Sequence, residues 1–200
     1  MGEWTDTPDI VGEHVRLTAL GPEHAAGVLA ASDDDEVFIW QAFARPTDLT
    51  EAEALVELYL SRKPEAMPWV QIDQASGDVA GLTTYYDIDA AQRTVAIGST
   101  WLGRRFWRTG VNTESKLLLL RRAFDDLGCA RVVWHVDIKN ERSQAAVARI
   151  GGVREGVLRK HKIRRDGSWR DTVLFSMTDD EWPAARESLE ARLTSGKAQP

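Results

Sequence analysis

Residues 14–20, HVRLTAL, alternate apolar and polar positions and predict a first strand. Gly21-Pro22 ends it, and a proline suits a first helical turn, so 22–31 predicts a helix. After the polar break SDDDE (32–36), Leu55, Leu58 and Tyr59 share one face of a helix over 51–63. Thr50 with Glu53 three residues on fits a capping box. Residues 67–73 and 79–87 read as hairpin partners around Ser76-Gly77-Asp78, and 94–102 as the next strand. Leu117, Leu120, Phe124 and Leu127 mark one face of a helix starting near Asn112, with Gly128 placed as its stop. VVWHV centres a strand over 131–137, and 141–150 is a short helix ended by Gly151-Gly152. Residues 153–163 and 169–177 flank the turn dipeptide Asp166-Gly167, and a helix over 179–193 follows. The order β-α-α-β-β-β-α-β-α-β-β-α has a strand–helix–strand–helix centre with hairpins on both sides. That pattern implies an α/β chain of the α+β type with a mixed sheet.

The length of 200 residues suits a single domain with a core near 10–190, and a hydrophobic fraction of 43% is ample to fill it. No apolar run approaches a membrane span, and MGEWTDTPDI lacks the basic and apolar regions of a signal peptide. The expected setting is the reducing cytoplasm, with the lone Cys129 in LGCARVV as a buried structural thiol. The net charge of −6 hides a segregation: residues 101–170 hold 17 of the 25 Lys+Arg and 7 of the 31 Asp+Glu, so they carry +10 against −16 elsewhere. A basic half in an acidic chain suits an anionic ligand or a solvated mixed face. The basic run RKHKIRR (159–165) has no aromatic interleaving, which argues against nucleic acid. No metal-ligand spacing occurs.

The segment FWRTGVNTESK (106–116) runs from a strand through a loop into a helix. Gly110 permits positive φ and close approach, and the amides of Thr109, Gly110, Val111, Asn112 and Thr113 lie where a helix start binds anions. Arg104, Arg105 and Arg108 add charge. No Gly-Lys-Ser/Thr and no G-x-G-x-x-G occurs, so a nucleotide-cleaving loop and a dinucleotide fingerprint are excluded; the loop suits gripping a pyrophosphate. In DIKNERS (137–143), Asn140 follows a buried strand, can cap the next helix, and can meet an amide-bearing ligand; Ser143 projects from the first turn with Arg142 and Arg149 nearby. If the strands at 94–102 and 131–137 are parallel neighbours, both helix starts open on one crevice.

IGSTWL (97–102), TGVNTE (109–114), NERS (140–143), EGVLR (155–159) and DGSWRD (166–171), in that order, resemble the GNAT superfamily of acyl-CoA-dependent N-acyltransferases, on its RimJ/RimL-like side. The resemblance spans roughly 10–190. It implies a mixed sheet of about six to seven strands with helices on both faces, acetyl-CoA as the acyl donor, an amine acceptor, no membrane, and a possible homodimer. The family's splayed strand falls on 94–102, with backbone near Trp101 and Leu102 facing the thioester. Its pyrophosphate loop falls on 107–112, where Gly110 matches while Trp107 and Asn112 depart from the pattern; Trp107 can stack on the cofactor, and Arg105 or Arg108 can take the basic role.

Acyl transfer to an amine needs a neutral amine, support for charge on the acyl oxygen, and a proton for the thiolate. The resemblance gives the last role to Ser143; no tyrosine follows Tyr86 to compete. It places the general base in a register that reaches Lys162, with His161 beside it as the catalytic candidate, while His135 reads as a core histidine. Glu114 and Glu155 are carboxylate alternatives. Trp134 and Trp182 read as core; Trp40, Trp69 and Trp169 can wall the acceptor pocket, which the family builds from 33–48 and 164–169. A non-catalytic acyl-CoA-binding module and an interaction protein on the same fold stay open as alternatives.

Overall fold

The computed structural model describes residues 2–195. One eight-stranded sheet runs in the order β1 (Ile10–Val11), β2 (Val15–Ala19), β3 (Ala66–Asp73), β4 (Val79–Asp89), β5 (Thr94–Leu102), β6 (Arg131–Asp137), β8 (Trp169–Thr178) and β7 (Val153–Ile163). The pair β5–β6 is parallel and its neighbours β4–β5 and β6–β8 are antiparallel, so the sheet is mixed as the element order implies. All seven strands read from the alternation are present. The eighth, β1, has two residues, too few to show a period, and it pairs with β2.

Alternation along the strands sends apolar side chains to both faces, and helices cover each. Val15, Leu17, Trp69, Tyr85, Val95 and Ile97 pack with α3 (Gly110–Arg121) and α5 (Trp182–Thr194), joined by Val147 and Ile150 from α4 (Glu141–Arg149) and its end. Val70, Leu82 and Trp101 pack with α1 (Ala25–Ala31) and α2 (Leu49–Leu60). Leu117, Leu118, Leu119 and Leu120 are all buried, each contributing about 1.5–3 kcal/mol, which pins α3 to the sheet. Trp134 and Trp182 are core residues as expected, and the Cys129 thiol is buried and pushed up to about 12 by that burial. Trp69 is a correction: it is fully buried in the α3-side core, its Nε1 donating to the Pro8 carbonyl at 3.1 Å, and it walls no pocket.

Several helix boundaries differ from the sequence reading: α1 follows a 3-10 turn over Pro22–His24, α2 ends at Leu60 and α5 starts at Trp182, and three further differences have a visible cause. α3 begins at Gly110, two residues before Asn112, because the Thr109 hydroxyl caps it by accepting from the Val111 N–H at 3.3 Å. α2 is capped by Asp48, which accepts from the Glu51 N–H at 2.9 Å; the Glu51 carboxylate reaches back to the Thr47 N–H at 2.7 Å, so Thr50 and Glu53 form no box. The third is the end of α3, which passes into a π turn over Arg122–Asp126 before Gly128, at φ +64, stops it where expected.

Candidate active site

β5 and β6 are hydrogen-bonded neighbours only at Thr94↔Arg131, Val95↔Val132 and Ala96↔Val133. Beyond Ala96, β5 continues with β4 as far as Leu102, and β6 continues with β8 as far as Asp137. The two strands therefore splay, and the parallel arrangement expected from the sequence is present. A bulge drives the opening. Between Thr84↔Gly98 and Leu82↔Trp101, β5 carries one residue more than β4, and Ser99 takes φ +47. Such a bulge bends and twists its strand. Side chains then hold the bent segment by its carbonyls: Tyr59 Oη donates to Ser99 O at 3.0 Å, Gln41 Nε2 to Thr100 O at 3.2 Å, and Trp107 Nε1 to Leu102 O at 2.8 Å.

The loop before α3 lies at one edge of this opening. Gly110 is the first helical residue and does not use positive φ; the left-handed residue is Arg108, at φ +63. What requires glycine at 110 is contact: a Cβ there would sit 2.7 Å from the His14 ring. Because α3 starts early, the Thr113 N–H belongs to the helix ladder, and Val111 is committed both to the core and to the Thr109 cap. The donors left for an anion are those of Gly110 and Asn112. Arg104 pairs with Glu36, and Arg105 with Asp78 at 3.1 Å, whereas exposed Arg108 makes no ion pair among the described residues.

Asn140 supplies the second helix start. Its Oδ1 accepts from the Ser143 N–H at 3.0 Å, the cap read from the sequence, and half-buried Ser143 projects from the first turn of α4. Below them Asp137 is gripped by Arg164 at 2.7 and 2.9 Å; burial pushes its carboxyl up, but the Arg164 hydrogen bonds, the Lys139 N–H and the charges of Arg164 and Arg170 together outweigh this and hold it below the usual range. Trp107 joins the two helix starts. The guanidinium of Arg142, on α4, lies 3.7 Å from its ring centroid, and that of Arg104 lies 4.3 Å away. Arg149 stands exposed in the last turn of α4, two turns beyond the cap, with no ion pair among the described residues.

On the α1/α2 face, a titratable cluster sits at the vertex of the splay. Tyr86 on β4 lies against Gly98, where a Cβ would be 2.7 Å from its ring, and its hydroxyl is 2.9 Å from His135 Nδ1 on β6. The His161 ring centroid is 5.6 Å from that of His135. One correction follows. His135 is half-buried outside the core, and the signal was in VVWHV: with Trp134 inside, alternation turns His135 outward. His161 and Lys162 both reach this cluster because β7 carries two extra residues between Leu158 and Lys162, with Lys160 at φ +49, which breaks the alternation. Burial lowers both histidines, and Lys162 and Arg170 lower them further against the opposing pull of Asp87; the net effect favours the neutral imidazole in both.

Neither carboxylate alternative is a base. Glu114 accepts from the N–H groups of Glu13, His14 and Val15 at 2.8, 2.6 and 2.8 Å. Glu155 is held at about 2 by hydrogen bonds from Arg131 and Ser176. Sequence reasoning missed Lys116, a buried amine whose Nζ meets Thr100 Oγ1 at 2.8 Å. The two regions expected to frame an acceptor do meet: Arg165 Nη1 donates to Phe43 O at 2.6 Å. Trp40 is half-buried in the first region, and Trp169, at the second, is exposed. No group of three metal-ligating side chains occurs among the described residues, and no described helix is long and apolar enough to cross a membrane.

Comparisons with known proteins agree with this geometry. Residues 14–153 match the family model described as "Acetyltransferase (GNAT) domain". A crystal structure of a GCN5-related N-acetyltransferase from Brucella melitensis superposes with a TM-score of 0.90 at 32% identity, covering 94% of this chain and 86% of that one. The FsC-acetyl coenzyme A-N(2)-transacetylase of Aspergillus fumigatus is 28% identical over 88% of this chain and 78% of its own length. A Bacillus subtilis (strain 168) protein named as a ribosomal N-acetyltransferase, YdaF, is 30% identical over 53% of this chain; the match spans 57% of that protein's length. That name accords with the RimJ/RimL-like resemblance. The chain belongs to the GNAT acetyltransferase family.

Proposed function

We propose that this chain is an acyl-CoA-dependent N-acetyltransferase that moves an acetyl group from acetyl-CoA to a primary amine by direct attack in a ternary complex. The observation that carries the reading is the Trp107–Arg142 contact, which brings the starts of α3 and α4 to one mouth of the β5–β6 splay. The donor set there fits a polyanionic, amide-bearing ligand. The N–H groups of Gly110 and Asn112 and the unpaired Arg108 suit phosphates, and the Asn140 side-chain amide, its Oδ1 spent on the cap, keeps N–H donors for a ligand carbonyl. Arg149 offers a further cation on α4. Acetyl-CoA supplies the activated acyl group, and the bent backbone near Trp101 and Leu102 is the surface that receives it.

The chain's own residues divide the proton work. Ser143, at the first turn of α4, gives a proton to the departing sulfur. His135 takes one from the attacking amine: in the tautomer whose Nδ1–H donates to Tyr86 Oη, Nε2 is left as the acceptor, while burial raises the Tyr86 phenol so that it stays protonated. The acceptor enters between the 33–48 segment and the 164–169 turn, and is a protein N-terminus, an amino-acid-like metabolite or an antibiotic amine.

Calorimetry with CoA, followed by thiol release from acetyl-CoA with a panel of N-terminal peptides, amino acids and aminoglycosides, tests the reading. Binding together with release for at least one amine is expected. Binding without release for any would make the chain a non-catalytic acyl-CoA module. Arg108 gives an independent check with opposite signs. Arg108→Gly relaxes a left-handed residue and should stabilise the fold by about 1 kcal/mol, while weakening CoA binding several-fold by removing a phosphate partner. Parallel melting curves and CoA titrations read the two effects.

A further inference from the structure

Lys116 is a buried cation that has no part in this proton transfer. It is 7% exposed on α3, and its Nζ donates to Thr100 Oγ1 at 2.8 Å and to Thr83 Oγ1 at 3.4 Å. The two hydroxyls are 2.8 Å apart on neighbouring strands, and Thr100 directly follows the bulged Ser99. Lys116 has no carboxylate partner among the described residues. Glu114, two residues earlier, is spent on the amides of Glu13, His14 and Val15; Tyr85 on β4 bonds the Leu119 carbonyl; β2 presents Val15 and Leu17; and Glu190 of α5 pairs with Arg121 at the far end of α3. A buried amine held only by hydroxyls has an unbalanced charge. Burial pulls it down to about 7.

We propose that Lys116 is a positioning residue that couples acyl-CoA binding to proton uptake: anchored on Thr100 and Thr83, it becomes the fixed cation beneath the bulged segment of β5 when the polyanion docks at the start of α3. The proposal rests on the acyl-CoA reading. Lys116 lies six residues into α3, about 9 Å along the helix from the anion-binding end. A negative charge about 10 Å away, at an effective dielectric of about 20, raises proton affinity roughly tenfold. The free protein therefore holds Lys116 only about one-tenth protonated at pH 8, and the complex holds it about half protonated. Below about pH 6 both states are protonated and the uptake disappears.

Calorimetric titration of CoA at pH 8, in buffers of different ionisation enthalpy, counts protons taken up. Comparing the native chain with Lys116→Met cancels the ligand's own proton exchange. At pH 8 the native protein should take up more protons per CoA than Lys116→Met does, by about 0.4 proton, and the difference should vanish at pH 5.5. Equal uptake by both proteins overturns the proposal while leaving the acyl-CoA reading intact; failure of the native protein to bind CoA overturns both. Should Lys116→Met not fold, carbon-detected NMR of labelled lysine in the native protein gives the answer directly. A Lys116 resonance whose titration midpoint rises with CoA supports the coupling, and one that does not move refutes it.

Discussion

Replacing Glu114 by Ala is expected to cost about 3–5 kcal/mol of folding stability, close to half of what a domain of ordinary stability possesses. The carboxylate accepts three backbone N–H groups of the β1–β2 turn, from Glu13, His14 and Val15, at 2.6–2.8 Å. Hydrogen bonds to a charged group contribute about 1.5–3 kcal/mol each, less when shared, and the Val15 donor is buried, so its loss is not made good by water. The turn is built around this carboxylate: a Cβ at Gly12 would lie 2.3 Å from Glu114 Oε2. Urea denaturation should show the midpoint falling by about 2 M with an unchanged slope. Glu114→Gln, which keeps one acceptor oxygen and turns an NH2 group towards a donor, should lose about half as much. Because His14 packs on Gly110, the Ala variant should also loosen the start of α3 and weaken CoA binding by more than unfolding explains. Loss of under 1 kcal/mol would mean that these amides find water as readily as the carboxylate.

Features settled by local chemistry were legible in the sequence. Asn140 caps α4, Gly128 stops the helix before β6, and Asp166-Gly167 turns the last hairpin, because each depends on the backbone of its immediate neighbours. Features set by distant partners were not. Glu114, Ser115 and Lys116 are polar residues near the start of a helix, yet all three are buried, one against a turn about a hundred residues earlier and another against threonines on β4 and β5. The bulge left no trace in the strand pattern over 94–102: Gly98 is spent on contact with Tyr86, and the positive φ falls on Ser99. The same exchange occurs at Arg108 and Gly110. In both places glycine is required for the space beside the backbone, a property of the tertiary neighbour that no window of sequence contains.

His135→Ala should lower kcat/KM by about a hundredfold or more, the usual contribution of a positioned base, with CoA affinity unchanged. His161→Ala should cost only a few-fold, since its ring is exposed and lies tilted against His135 instead of bonding Tyr86. The pH profile separates a base from a merely packed ring. Burial is the main cause holding His135 below 6.5, and the cations of Lys162, His161 and Arg170 add to it against Asp87. Native activity should therefore fall on an acid limb whose midpoint lies below 6.5, because the ring must be neutral to accept a proton. Asp87→Asn removes the one group that favours the imidazolium and should move that limb to still lower pH. Tyr86→Phe keeps the ring against Gly98 but removes the oxygen that orients Nδ1, so about a tenfold loss is expected, with no loss of stability beyond one hydrogen bond. If His135→Ala retains full kcat/KM while His161→Ala abolishes it, the proton passes to the outer histidine, and the Tyr86–His135 pair serves only to hold β4 and β6 together at the vertex.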